Sequence, residues 1–169
     1  MSQKAITIYT PSSAAPHIYA EDDAQVHRAL INGSGISFAD GMLACTIVND
    51  NTVRLASGLY SMQGYLISVP NGTVEELSIN SGTAGSYRHD LIVADFERGG
   101  GNTADTFTIH VIQGEVATSA GAADDPTLAN DDLTIGGSHR QEALYRIVIS
   151  GTTISEVVRV APYIGNVYQ

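Results

Sequence analysis

Apolar and polar positions along the chain change period once, close to residue 35. Before that point Val26, Ala29 and Leu30 fall on one helical face, and Ala20–Ile31 predicts a helix. Asp22 and Asp23 stand in its first turn and His27 and Arg28 near its end, as the helix dipole favours, with Gly33 placed as a stop. From Ile36 onward the pattern predicts strands. Met42–Val48 and Thr52–Ala56 flank the polar turn Asn49-Asp50-Asn51 as a hairpin. Leu59–Val69 is interrupted at Gln63-Gly64, and Pro70-Asn71-Gly72 turns the chain into Thr73–Ile79. Tyr87–Glu97 carries Leu91-Ile92-Val93-Ala94 in succession, which predicts a strand covered on both faces. Thr106–Gln113 alternates cleanly, and Ala143–Ile149 and Thr153–Val160 flank the turn Ser150-Gly151-Thr152.

Three stretches escape this pattern. Residues 4–9 alternate like a short strand, and Pro11 and Pro16 hold the next stretch extended, so residues 1–19 read as an N-terminal arm. The uncharged tail 162–169, with Tyr163 and Tyr168, reads as a C-terminal arm able to dock as a strand. Glu115–Gly137 reads as a long surface loop, of the kind that marks a contact or a mobile segment. The expected organisation is therefore an arm (1–19), a helix (20–33), a β domain (34–161) and a second arm (162–169). The fold class is mainly β: an antiparallel sandwich or barrel-like domain with one N-terminal helix and extended terminal arms.

Composition narrows the function. The 169 residues hold 18 Asp and Glu against 8 Lys and Arg, a formal charge of −10. No basic stripe is available for phosphates, which argues against nucleic acid, and the same sign argues against an anionic membrane surface. No apolar run approaches the roughly 20 residues of a spanning helix, and the N-terminus alternates too early for a signal peptide. The single cysteine, Cys45, excludes an intramolecular disulfide and reads as a buried small side chain made in a reducing cytoplasm.

Candidate chemistry is sparse. Ser86, His89 and Asp90 are neighbours, yet on a strand His89 and Asp90 face opposite ways, so they form no triad and no enzyme is expected. The five histidines have no H-x-H or H-x-x-x-H spacing, so any metal site would have to be assembled by the fold; neither metal nor cofactor is expected. Asp124-Asp125 and Asp131-Asp132 do not follow a calcium-loop spacing and read as a solvated acidic loop or a turn start, leaving open whether 124–132 binds a cation. Arg88 and Asp90 project to one face of their strand and read as a structural ion pair that fixes register.

The order of short motifs resembles the tail and baseplate structural proteins of bacteriophages and prophages of Gram-positive hosts. The likeness runs through Gly35-Ile36, Gly41-Met42-Leu43, Val53-Arg54-Leu55-Ala56-Ser57-Gly58 and Gly64-Tyr65-Leu66-Ile67. It continues in Arg88-His89-Asp90-Leu91-Ile92-Val93, Ile112-Gln113-Gly114-Glu115, a loop with Pro126, and Glu142-Ala143-Leu144-Tyr145-Arg146-Ile147-Val148-Ile149 before Ile154. The resemblance implies a non-enzymatic, trimeric virion component that anchors a receptor-binding or fibre module among other tail proteins. A different reading stands beside it: a carbohydrate-binding module in which Tyr60, Tyr65 and Tyr87 form a platform for host surface polysaccharide.

Overall fold

The computed structural model describes residues 18–31 and 33–165. One helix, α1 (Ala20–Leu30), leads into β1 (Gly35–Ser37), β2 (Cys45–Asn49), β3 (Thr52–Leu55), β4 (Gly58–Met62), β5 (Tyr65–Val69) and β6 (Glu75–Ser78). Next come β7 (Tyr87–Glu97), β8 (Thr106–Ile112), β9 (His139–Ser150), β10 (Thr153–Arg159) and β11 (Tyr163–Ile164). The strands form three sheets, ordered β11-β1-β4-β5, β10-β9-β7-β8 and β2-β3-β6. Every pairing is antiparallel except β1 with β11. Among the described residues the fold is mainly β with one helix, as the pattern predicts; no sheet closes into a barrel, and the arrangement is consistent with a sandwich. No helix among the described residues is long and apolar enough to cross a membrane.

The long sheet supplies one wall of the core. Ile92, Ala94 and Phe96 of β7 and Tyr145, Ile147 and Ile149 of β9 face Ile36, Tyr60, Met62 and Tyr65 of the smaller sheet and Val53, Leu55 and Leu77 of the third. Tyr65 packs on Phe96 with ring centres 4.6 Å apart. A register shift in β9 opposite Ile92 and Val93 leaves Leu144 without a partner on β7, and Leu144 and Tyr145 both turn into the core. That is the extra residue of a bulge, which re-aims side chains without breaking the ladder.

Helix α1 sits on the β4–β5 hairpin. Gln63 (φ 50°) and Gly64 (φ 92°) form its two-residue turn, the left-handed pair that suits a tight hairpin. A side chain on Gly64 would meet the Ala24 carbonyl at 2.0 Å, so helix and turn approach backbone to backbone. Arg28 Nη1 donates to the Gln63 carbonyl at 2.8 Å, and His27 Nδ1 lies 2.9 Å from the Gly64 carbonyl.

Several expected boundaries move. The strand predicted over Met42–Val48 begins only at Cys45, because Met42 and Leu43 adopt positive φ in a turn that buries Leu43 completely. Helix α1 ends at Leu30, with Ile31 already extended, before Gly33. The strand after the long loop starts four residues earlier than predicted, at His139, since its polar residues find partners on both faces. Cys45 is half-buried rather than buried, and desolvation pushes its thiol up to about 12. Residues 163–164 of the expected C-terminal arm dock as a strand, and the strand they join is β1 of the chain's own sheet. The strand expected over residues 4–9 and most of the N-terminal arm lie outside the described residues, as do residues 166–169.

Candidate functional site

The face of the long sheet that points away from the core is the chemically dense surface. Alternation along β7 puts His89, Leu91, Val93, Asp95 and Glu97 there. Leu91 and Val93 are buried because the segment after β8 crosses over them. Ala117 pairs with Tyr87 along one side of β7, and Asn130 pairs with Arg140 along the far side of β9. The chain between these anchors spans the sheet as a strap. Residues 115–138 hold only two short 3-10 turns, Ala120–Ala122 and Leu133–Ile135, as the loop reading expects.

Midway along the strap, Asp125 meets His89 and Arg146. Arg146 donates Nε to Asp125 Oδ1 at 2.6 Å and Nη2 to Oδ2, and His89 Nδ1 lies 3.1 Å from Oδ1. The Arg146 hydrogen bonds, helped by His89, outweigh burial and hold the Asp125 carboxyl below the usual aspartate range. Asp131 and Asp132 serve the backbone. Asp132 accepts from Thr134 N and Oγ1 and so begins a turn, while Asp131 accepts from Ser138 N at 2.9 Å and His139 N at 3.0 Å. Beside the strap lies a polar cleft of about 420 Å³ edged by Gln113, Glu115, Asp124 and Thr127.

Beyond the strap the same face opens onto a cluster drawn from three strands. Asp95 Oδ2 accepts from Gln141 Nε2 at 2.7 Å and lies 2.8 Å from His110 Nε2. Its Oδ1 lies 2.9 Å from His139 Nε2, which is also 3.6 Å from Glu97 Oε1. Burial raises the Asp95 carboxyl, but the hydrogen bonds from Gln141, His110 and His139 together bring it below the usual value. Asp95, Glu97 and His139 are the residues among those described whose ligand atoms gather closely enough to hold a metal ion.

The residues singled out by sequence divide sharply. Arg88 and Asp90 do pair, inside the core: Arg88 Nε to Asp90 Oδ1 is 2.7 Å and Nη2 to Oδ2 is 3.0 Å. Arg88 also donates to the Asn80 carbonyl, and Asp90 accepts from Gly114 N, so both members of the pair are tied down. The tyrosine platform is not formed. Tyr60 and Tyr65 are only 2% and 7% exposed, their rings committed to the core, and only Tyr87 is half-open. Tyr60 Oη donates to Glu142 Oε2 at 2.7 Å, and Tyr65 Oη accepts from Arg98 Nη2 at 3.1 Å. Ser86 donates to the Thr83 carbonyl, His89 faces the strap and Asp90 faces the core, so these three are not brought together.

Sequence reasoning misses Arg140 and Glu142. They repeat on β9 the lateral Arg-x-acid pairing of Arg88 and Asp90, with Arg140 Nε 2.6 Å from Glu142 Oε1. The shared spacing is the signal that could have found them. The Asp95 cluster offers little, since its three segments (Asp95 with Glu97, His110, and His139 with Gln141) are far apart in sequence and meet only through strand register.

The chain matches no known family model, no curated protein and no solved structure.

Proposed function

We propose that this chain is a non-enzymatic structural protein of a phage tail or baseplate, one that assembles with copies of itself and anchors a receptor-binding or fibre component. The observation that carries the self-assembly is the apolar face of α1, which stands exposed among the described residues. Val26 and Leu30 are 40% and 54% exposed, Ile18 just before the helix is exposed too, and only Ala24 is buried. These side chains form a stripe on a helix already clamped to the sandwich by Gly64, and exposed apolar stripes of this kind mark contacts. Copies packed helix to helix about a symmetry axis would bury them, and a homotrimer is the arrangement the motif resemblance favours. The acidic first turn (Glu21, Asp22, Asp23) keeps the unassembled chain soluble in the host cytoplasm before it joins the virion tail.

Light scattering coupled to size exclusion tests this on the full chain. A concentration-independent trimer that dissociates on Leu30→Asp supports the reading; a monomer at high concentration overturns it. The glycan-binding reading loses Tyr60 and Tyr65 to the core, and the polar cleft beside the strap has no aromatic residue for a sugar to stack on.

A further inference from the structure

We propose that Asp95, Glu97 and His139 form a binding site for one divalent transition-metal ion of the zinc type, with Gln141 and His110 holding Asp95 in position. The geometry begins with register. His139 on β9 stands directly opposite Glu97 on β7, and Asp95 lies two residues along the same face, opposite Gln141. Three ligands therefore come from the two central, hydrogen-bonded strands of the sheet, at the end where β7 finishes and β9 starts, and the register fixes their spacing.

Their separations suit a small ion. Two ligand atoms at about 2.0–2.1 Å from a tetrahedral zinc lie about 3.3 Å from each other. His139 Nε2 is 2.9 Å from Asp95 Oδ1 and 3.6 Å from Glu97 Oε1, values that straddle that separation, and all three ligand atoms lie within 4.8 Å of one another. Small shifts, available to the exposed end of Glu97, would bring all three within reach of one ion. The imidazole would ligate through Nε2 as the neutral tautomer with its proton on Nδ1, and the two carboxylates would balance the charge of a divalent ion.

The surroundings are those of a ligand set rather than of scattered surface charges. Asp95 is 13% exposed, and both donors to its Oδ2 come from flanking strands, Gln141 from β9 and His110 from β8. This leaves Oδ1 aimed at His139 and fixes the carboxylate, which is the task outer partners perform around metal ligands. Among the described residues no Lys or Arg forms an ion pair with Asp95 or Glu97; their partners are histidines and Gln141. The mixed donor set, one nitrogen and two carboxylate oxygens, favours a borderline ion such as zinc over magnesium or calcium, and a fourth position stays open to water or to a ligand from another molecule.

Isothermal titration of the untagged full chain with zinc chloride, and separately with magnesium chloride, tests the site. The expected result is saturable binding of one zinc ion per chain and none of magnesium at the same concentrations. Glu97→Gln, at a position 61% exposed and safe for folding, should weaken zinc by at least about tenfold, and His110→Gln should weaken it with the same one-to-one stoichiometry. His89→Gln, under the strap, should change nothing. Absence of saturable zinc binding overturns the proposal, as does a Glu97→Gln protein that unfolds like the parent yet binds zinc equally well.

Discussion

Arg88 and Asp90 sit two residues apart on β7 and close a two-pronged ion pair inside the core, with 4% and 1% of their side chains exposed. An interior pair of this kind gains little over an apolar pair of the same volume, but breaking it strands a charge. Asp90→Ala should therefore lower unfolding stability by about 3–5 kcal/mol, whereas the double substitution R88M/D90L should recover much of that loss. Urea denaturation of the parent, D90A and the double variant reads out the difference; a double variant no better than D90A would argue that Asn80 and Gly114, rather than the charges, need these side chains.

The strap carries an acid-sensitive tie. Asp125 is held below its ordinary value of 3.8 by Arg146 and then His89, so the folded chain keeps it ionised to lower pH than the unfolded chain does. Its contribution is fully present above the ordinary aspartate value and is lost as pH falls through the depressed folded value. Denaturation midpoints measured between pH 7 and pH 2 should fall on the acid side, below about pH 4. Asp125→Asn should flatten part of that fall, and an unchanged acid profile would count against the tie.

Two glycines with positive φ separate backbone strain from collision. Gly72 (φ 77°) has open space where a side chain would grow, so Gly72→Ala should cost only the left-handed backbone, about 1–2 kcal/mol. Gly64 (φ 92°) adds the Ala24 carbonyl at 2.0 Å, and Gly64→Ala should cost distinctly more and loosen α1 from the hairpin. Thermal unfolding ranks the two. Equal losses would show that the helix simply slides away.

Arg98 links three parts of the fold. Its Nη1 reaches Glu21 of α1 at 2.5 Å, its Nη2 reaches Tyr65 Oη, and its Nε reaches the Gly137 carbonyl at the end of the strap at 3.2 Å. The guanidinium carbon also lies 5.7 Å from the centre of the Phe96 ring, and Arg98→Met should keep an apolar side chain there while releasing both ends. Hydrogen exchange should then quicken in α1 and in residues 131–138 and stay unchanged in β7 and β9. Faster exchange throughout would indicate a global rather than a local role.

How far sequence reaches depends on the range of the interactions. Tyr87–Glu97, the turn at Gln63-Gly64 and the pairing of Arg88 with Asp90 all rest on neighbours within a few residues, and pattern carries that information. The start of β9 does not read as strand because His139, Arg140, Gln141 and Glu142 are polar on both faces, and their partners Asp95, Asn130 and Tyr60 come from elsewhere. The tyrosines mislead for the same reason. A tyrosine beside a turn looks available until the Glu142 or Arg98 that satisfies its hydroxyl is brought across the core. The path of the strap and the gathering of Asp95, Glu97 and His139 depend on which strands lie side by side, which no local spacing encodes.

The parallel partnership of β1 with β11 has a consequence for the order of folding. Gly35 and Ile36 find one neighbour, β4, soon after they are made, but the other edge of β1, at Ile36 and Ser37, stays bare until Tyr163 and Ile164 exist. During synthesis the β1-β4-β5 sheet must wait with an unpaired rim, open to a strand from any nascent neighbour. Gly35, whose missing side chain admits the Pro162 carbonyl, makes the eventual closure a close backbone fit. The last strand acts as a latch, and the time it takes to arrive sets how long the unfinished chain is exposed to mispairing.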